Sequence, residues 1–309
     1  MSSEPAALRY LLERIDLEVV APGVFRDKGG DEPLHRLFGG QVAAQALAAM
    51  GRTVDVDRPV HSLHVYFLRP GWPSVPLDLH VTPVKCGRSF DVRRVDVSQD
   101  GQPVLTASAS FHRAEPGPGL AVAAELGFNP GEVEALPRWE NRFANRLDRL
   151  SPLWSRPRPI DLRYMDPAPL DESLRSRPRT GQQTLVRADG PLPEDRLLHA
   201  CIAVYASDMT LLETALLPLG VVWTDGEFDG ASLDHAMWFH RPPRADRWLR
   251  YDQCAETMSG GRGLASGRMY DENGELVVTV MQEGSLRPTG GAGSWLARTS
   301  PDRTMGRAR

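Results

Sequence analysis

Lysine is almost missing from this chain: Lys28 and Lys85 are the only two among 36 basic residues in a sequence of 309. The arginine excess reads mainly as a GC-rich coding bias. With a formal net charge of -4, there is no basic surplus of the kind that draws nucleic acid or an anionic surface. Without a Gly-Lys pair no P-loop can be built, no G-x-S-x-G elbow presents a serine nucleophile, and no H-E-x-x-H puts two histidines on one helix face. Cysteine is scarce as well. Cys86, Cys201 and Cys254 are odd in number and far apart, which suits neither a disulfide framework nor a zinc site, so plain buried thiols are expected.

Long apolar runs are also lacking. The most apolar stretch, residues 197–223, is interrupted by His199, Asp208, Glu213 and Pro218, short of the ~18 uninterrupted residues of a spanning helix. The first residues carry no basic-then-apolar secretory pattern. A cytoplasmic protein without a membrane span is the expectation.

What is present is ordinary globular composition, 41% hydrophobic and 25% charged, in a length that suggests two units of usual size. The two halves share one pattern. In the first, a helical segment over residues 38–50 precedes a strand-like run, residues 60–70, that closes in Arg69-Pro70. In the second, a helical segment over residues 197–205 is followed by a run over residues 232–242 that closes in Arg241-Pro242. Further on, Gly87-Arg88 and the turn Asp100-Gly101 lead into a period-two strand at residues 104–111. Gly261-Arg262 and the hairpin signal Asn273-Gly274 lead likewise into residues 276–282. Offsets of 172 to 174 residues relate the matched positions.

One helix followed by several antiparallel strands, duplicated, predicts an α+β fold in which each repeat wraps a sheet around a central helix: a double hot-dog. The boundaries read as 1–115 for the first repeat, 116–160 for a linker, 161–288 for the second repeat and 289–309 for a mobile tail. In the linker, Trp139, Phe143, Leu147 and Leu150 recur at helical spacing, so one packed helix is predicted there, with Arg142, Arg146 and Arg149 on its solvated side.

The paired histidines do not make a metal site. His61 and His64 lie three apart on a predicted strand and point to opposite faces, and His235 and His240 fail likewise. Residues 261–267 look superficially like a nucleotide loop, but they connect strands and do not open a helix.

Several ordered motifs together resemble the acyl-CoA thioesterase II family over about residues 11–288: Phe38-Gly39-Gly40-Gln41, His61-Ser62-Leu63-His64, Tyr205-Ala206-Ser207-Asp208, Asp234-His235-Ala236-Met237-Trp238 and Gln282-Glu283-Gly284. The resemblance implies an acyl-CoA substrate, no metal and no organic cofactor, and further association into dimers or tetramers. It also implies that Asp208, Ser232 and Gln282 hold the attacking water; where some members have Thr, this chain has Ser232.

The residues themselves leave alternatives open. Gln282 shares a strand face with Leu276, Val278 and Val280, so a buried amide needing partners is predicted, though it can equally cap a strand end. The first repeat has apolar Ala109 at the matching place, which suggests one working site per chain. Asp208 reads as a general base or as an ordinary N-cap of a following helix. Ser232 reads as a water ligand or a turn residue. A backbone N–H at the Gly39-Gly40 turn is the candidate donor to the thioester oxygen, and Arg88 and Arg262 are candidate contacts for the CoA phosphates, with surface solvation as the plainer reading. Histidine-driven catalysis through His61, His64 or His235, a hot-dog enoyl-CoA hydratase, and a catalytically silent acyl-CoA-binding protein are the rivals.

Overall fold

Two helices that are apolar on nearly every side organise the molecule. A helix hydrophobic all round has no face to offer water and must be enclosed, and α2 (Gly39–Gly51) is buried at each position from Gly40 to Met50. Its counterpart α5 (Arg196–Ser207) starts at Asp195, whose side chain accepts from the N–H groups of Leu197 and Leu198. The computed structural model describes residues 5–30, 36–120, 127–142, 157–165, 179–221, 223 and 226–290.

Around these helices runs a sheet of 13 strands among the described residues. The first repeat supplies β1 (Glu18–Ala21), β2 (Val24–Arg26), β3 (Val60–Phe67), β4 (Asp78–Cys86), β5 (Phe90–Gln99) and β6 (Gln102–His112), with α1 (Ala6–Ile15) packed outside α2. The second supplies β7 (Ile160–Tyr164), β8 (Gly181–Ala188), β9 (Phe228–Ser232), β10 (Asp234–Phe239), β11 (Leu249–Ser259), β12 (Arg262–Tyr270) and β13 (Leu276–Pro288). The spatial order is β1-β2-β4-β5-β6-β3-β10-β13-β12-β11-β8-β7, with β9 on β13. The repeats are stitched edge to edge: β3 pairs antiparallel with β10, Leu63 opposite Met237.

Helices α2 and α5 pack against each other head to tail, and glycines let them close up at both ends. A Cβ on Gly51, the last residue of α2, would sit 2.4 Å from Leu197 Cδ1 at the start of α5. A Cβ on Gly40, at the start of α2, would sit 2.9 Å from the Tyr205 carbonyl oxygen near the end of α5. The start of α2 is thereby forced against the end of α5.

Several expectations change. Residues 232–242 are not one strand: β9 ends at Ser232 and β10 starts at Asp234, because Leu233 donates to Glu283 O while its own carbonyl accepts from Phe67. In the linker, α3 (Pro130–Glu134) and α4 (Trp139–Arg142) occupy the region, and Trp139 stacks on Tyr164; Phe143, Arg146, Leu147, Arg149 and Leu150 lie outside the described residues, as does the tail beyond 290. Of the cysteines only Cys201 is buried. Cys86 and Cys254 are exposed, because they lie on the outer, solvated stretches of β4 and β11. The apolar segment Arg196–Leu219 is folded into α5, the short α6 (Leu211–Thr214) and one 3-10 turn, and most of it is buried in the core.

Candidate active site

Asp208 ends α5. It is the C-cap residue, with helical dihedrals, and not the N-cap of the next helix, which Thr210 begins without any side-chain cap bond. The reason is topological: α5 runs into the start of α2, so the Asp208 side chain turns there instead of along its own chain. Its carboxylate lies against the first turn of α2, where the Gly40 backbone N–H favours its charged form. A side chain on either glycine would collide with it, since an added Cβ on Gly39 would lie 3.0 Å from Asp208 Oδ2 and one on Gly40 3.0 Å from its Cβ.

Gln282 stands seventh in the 13-residue strand β13, so it is no strand-end cap. It is wholly buried. Its Nε2 uses both hydrogens on the site, one to Asp208 Oδ1 at 2.5 Å and one to Ser232 Oγ at 2.8 Å. Ser232 is brought there as the last residue of β9, paired with Gly284 of β13, and its hydroxyl lies 3.5 Å from Asp208 Oδ1. Three groups separated by up to 74 residues thus meet at one spot.

Burial raises the Asp208 pKa from 3.8 to about 6, and the bonds from Gln282, Gly40 and Ser232 hold it from rising further. The positive end of the α2 dipole, which faces the carboxylate, favours the charged form in the same sense. The result is an acid poised to exchange a proton near neutrality.

The other sequence candidates scatter. Gly39 and Gly40 line the site, packed against the Asp208 side chain. Arg262, exposed at the start of β12, pairs with Glu283 at 3.0 Å on the outer side of the sheet. Arg88 is exposed in the turn between β4 and β5, at the Val60 end of β3, whereas Phe67 at the other end of that strand meets Gly39. The structure does not bring Arg88 to the trio. His61 bonds Ser110 Oγ at 2.8 Å, its pKa lowered by burial and then by His112, and His64 is exposed edge-on to Trp238. Of the three, His235 alone lies beside the site, buried and 2.8 Å from Ser207 Oγ.

The residues that hold the Asp208 turn in place were not legible in advance. Tyr251 donates its hydroxyl to Ser207 O, in space left by Gly267, where a Cβ would come within 2.3 Å of the ring. Gln253 donates to Thr210 Oγ1 at 2.7 Å and to Thr184 Oγ1, and accepts from Thr214 and Gln182. A buried network that is well satisfied rigidifies what it touches. A run of Gln and Thr on β8 and β11 at alternating spacing was the available signal.

Comparison with known proteins gives the family. A sequence model described as acyl-CoA thioesterase matches residues 164–285, and one described as acyl-CoA thioesterase N-terminal domain matches residues 31–112. Acyl-coenzyme A thioesterase 8 of Homo sapiens is 37% identical over 298 residues, covering 92% of this chain and 91% of that protein. The chain belongs to the acyl-CoA thioesterase II family. Among solved structures, the acyl-CoA thioesterase II TesB2 from Mycobacterium marinum is 36% identical, with a TM-score of 0.73 over 91% of this chain and 98% of that one. A hot-dog protein of unknown function from Alicyclobacillus acidocaldarius shares the fold at a TM-score of 0.71 and 19% identity, covering 90% of this chain and 98% of that one. The chain is therefore a double hot-dog hydrolase of acyl-CoA thioesters, and neither the hydratase nor the silent binding reading is favoured.

Proposed function

We propose that Asp208 is the general base, taking a proton from a water that Ser232 orients, with Gln282 holding both groups in place through its amide, as that water attacks the thioester carbon of a fatty acyl-CoA. The observation that carries this reading is the convergence of the three side chains around Asp208 Oδ1, with the carboxyl pKa lifted to about 6. The water oxygen bonds to the acyl carbon, the C–S bond breaks, and the thiolate leaves with the proton that Asp208 took up. Products are a free fatty acid and CoA. General-base assistance of this kind is worth about 10² to 10⁴ in rate. A thiolate leaves readily, so no covalent acyl-enzyme is needed. With the Gly40 N–H favouring the Asp208 carboxylate, we assign the thioester oxygen to the N–H of Gly39, a contribution of about 2.7 to 4 kcal/mol for one well-placed donor.

The reading extends to the whole chain. We propose two repeats, residues 1–115 and 161–288, joined by the linker 116–160, with one working site per chain whose acid, hydroxyl and amide come from the second. Arg262 is the arginine we retain for a CoA phosphate. Self-association into dimers or tetramers is supported by the exposed Val19 and Val20 on the edge strand β1. We place the enzyme in the cytoplasm.

A single turnover in ¹⁸O-water tests the chemistry. Direct attack puts the label into the fatty acid released in the first turnover. If that product carries no label and the label appears on Asp208, the carboxylate is the nucleophile and the general-base assignment fails.

A further inference from the structure

Two buried polar atoms beside the trio have no hydrogen-bond partner: Oε1 of Gln282 and Nδ1 of His235. Their residues face each other. β10 pairs antiparallel with β13 through Ala236 opposite Met281, and one step further in the same register sets His235 opposite Gln282, both on the buried face. Directly opposed side chains on one sheet face are neighbours. One atom is an amide oxygen that can only accept, the other a ring nitrogen that can carry hydrogen. Left apart, each would cost about 1 to 3 kcal/mol as an unsatisfied buried group.

The far side of the ring agrees. His235 Nε2 lies 2.8 Å from Ser207 Oγ, whose single hydrogen has two acceptors in reach, this nitrogen and the Val204 carbonyl at 2.9 Å; with hydrogen on Nδ1 it goes to Nε2. Burial keeps the ring neutral, lowering its pKa to about 4, and the Gln282 amide only partly opposes that shift. The first repeat supplies an internal control. Its matching cross-strand pair, offset by 172 and 173 residues, is Leu63 opposite Ala109, both apolar. Imidazole and amide are therefore present together in the repeat that holds Asp208 and absent together in the other.

We propose that His235 is a positioning residue whose Nδ1–H donates to Gln282 Oε1 and so fixes which end of the amide faces Asp208. An amide can rotate by half a turn at little steric expense, and the wrong orientation would set a carbonyl oxygen against the carboxylate. With Oε1 tied to His235, both Nε2 hydrogens are directed at Asp208 and Ser232. Ser207 accommodates that tautomer by giving its hydroxyl hydrogen to Nε2. The inference rests on Gln282 holding Asp208 and Ser232 around the water, as proposed above.

The test joins spectroscopy to kinetics. In wild-type enzyme labelled with ¹⁵N-histidine, His235 is expected to show hydrogen on Nδ1 and a bare Nε2. His235→Asn, whose amide nitrogen overlays Nδ1, is expected to keep kcat within about threefold. His235→Gln, which overlays Nε2 instead, is expected to lose about tenfold or more in kcat with KM little changed. An Nε2–H tautomer in the wild type overturns the proposal even if both variants misfold. So does an Asn variant as slow as the Gln variant, or wild-type kcat in both. Wild-type kcat in Gln282→Leu would instead remove the water-holding reading while leaving the tautomer result standing.

Discussion

The backbone N–H of Gly40, in the first repeat, favours the charged form of Asp208, in the second, whose side chain packs against it. The site therefore belongs to neither repeat alone. The helix that starts at Gly39 brings its positive end and a bare backbone; the other repeat brings the acid, the hydroxyl and the amide. Only a chain that packs α2 and α5 head to tail can assemble the two.

This contact makes Gly40 sensitive to a single methyl group. In most helices Gly→Ala would gain up to about 1 kcal/mol. Here the added Cβ meets the Tyr205 carbonyl oxygen at 2.9 Å and Asp208 Cβ at 3.0 Å, and backbone cannot swing aside as a flexible side chain can. Gly40→Ala is expected to lower kcat at least about tenfold through misplacement of the base and to bring no gain in melting temperature. Steady-state kinetics and thermal unfolding check both.

The lifted acid of Asp208 gives two pH signatures. Activity requires the carboxylate, so kcat/KM is expected to fall tenfold per unit below about pH 6 and to level off above it. Stability runs the other way. The folded pKa, about 6, lies above the unfolded value near 3.8, so the unfolded chain gives up its proton first and stability falls as pH rises between these values. Asp208→Asn removes this penalty. It is expected to be more stable than wild type at pH 8, by up to about 3 kcal/mol, with the difference gone below about pH 4. Urea unfolding at the two pH values measures it.

Much of this was readable beforehand because periodicity and repetition survive in the sequence. The alternation around Val278 and Val280 already put Gln282 on the inner face, and comparison with Ala109 already showed that only the second repeat has a polar residue at that place. The capping role of Asp208 was not readable. An Asp between two short helical stretches satisfies a local rule, and that rule was overridden by a partner 168 positions earlier, Gly40. Tyr251 and Gln253 escaped notice for the same reason: their importance comes from long-range packing against the Asp208 turn, which no local motif records.

The empty counterpart of the site should resist being filled. Ala109 is buried on β6 opposite Leu63, which offers no polar atom. Ala109→Gln would combine overpacking, about 1 to 3 kcal/mol, with an unpaired amide of similar cost. The expected result is a lower denaturation midpoint with kcat unchanged and no second active centre, read from unfolding curves and active-site titration.

Thiol chemistry separates the three cysteines. Cys86 and Cys254 are exposed, while Cys201 is enclosed and burial pushes its thiol far above the ordinary range. An aromatic disulfide reagent is expected to modify two thiols per native chain quickly and the third only after unfolding. The same count supplies the background that must be subtracted when released CoA is assayed with such a reagent.

The central claim is that Asp208 activates the water, and turnover of palmitoyl-CoA by Asp208→Asn tests it most directly. The asparagine preserves size and can still accept from Gly40 and Gln282 but cannot take a proton. With folding verified by circular dichroism, kcat is expected to drop by about 10² to 10⁴ with KM nearly unchanged. An Asn enzyme that releases CoA at the wild-type rate would contradict the account.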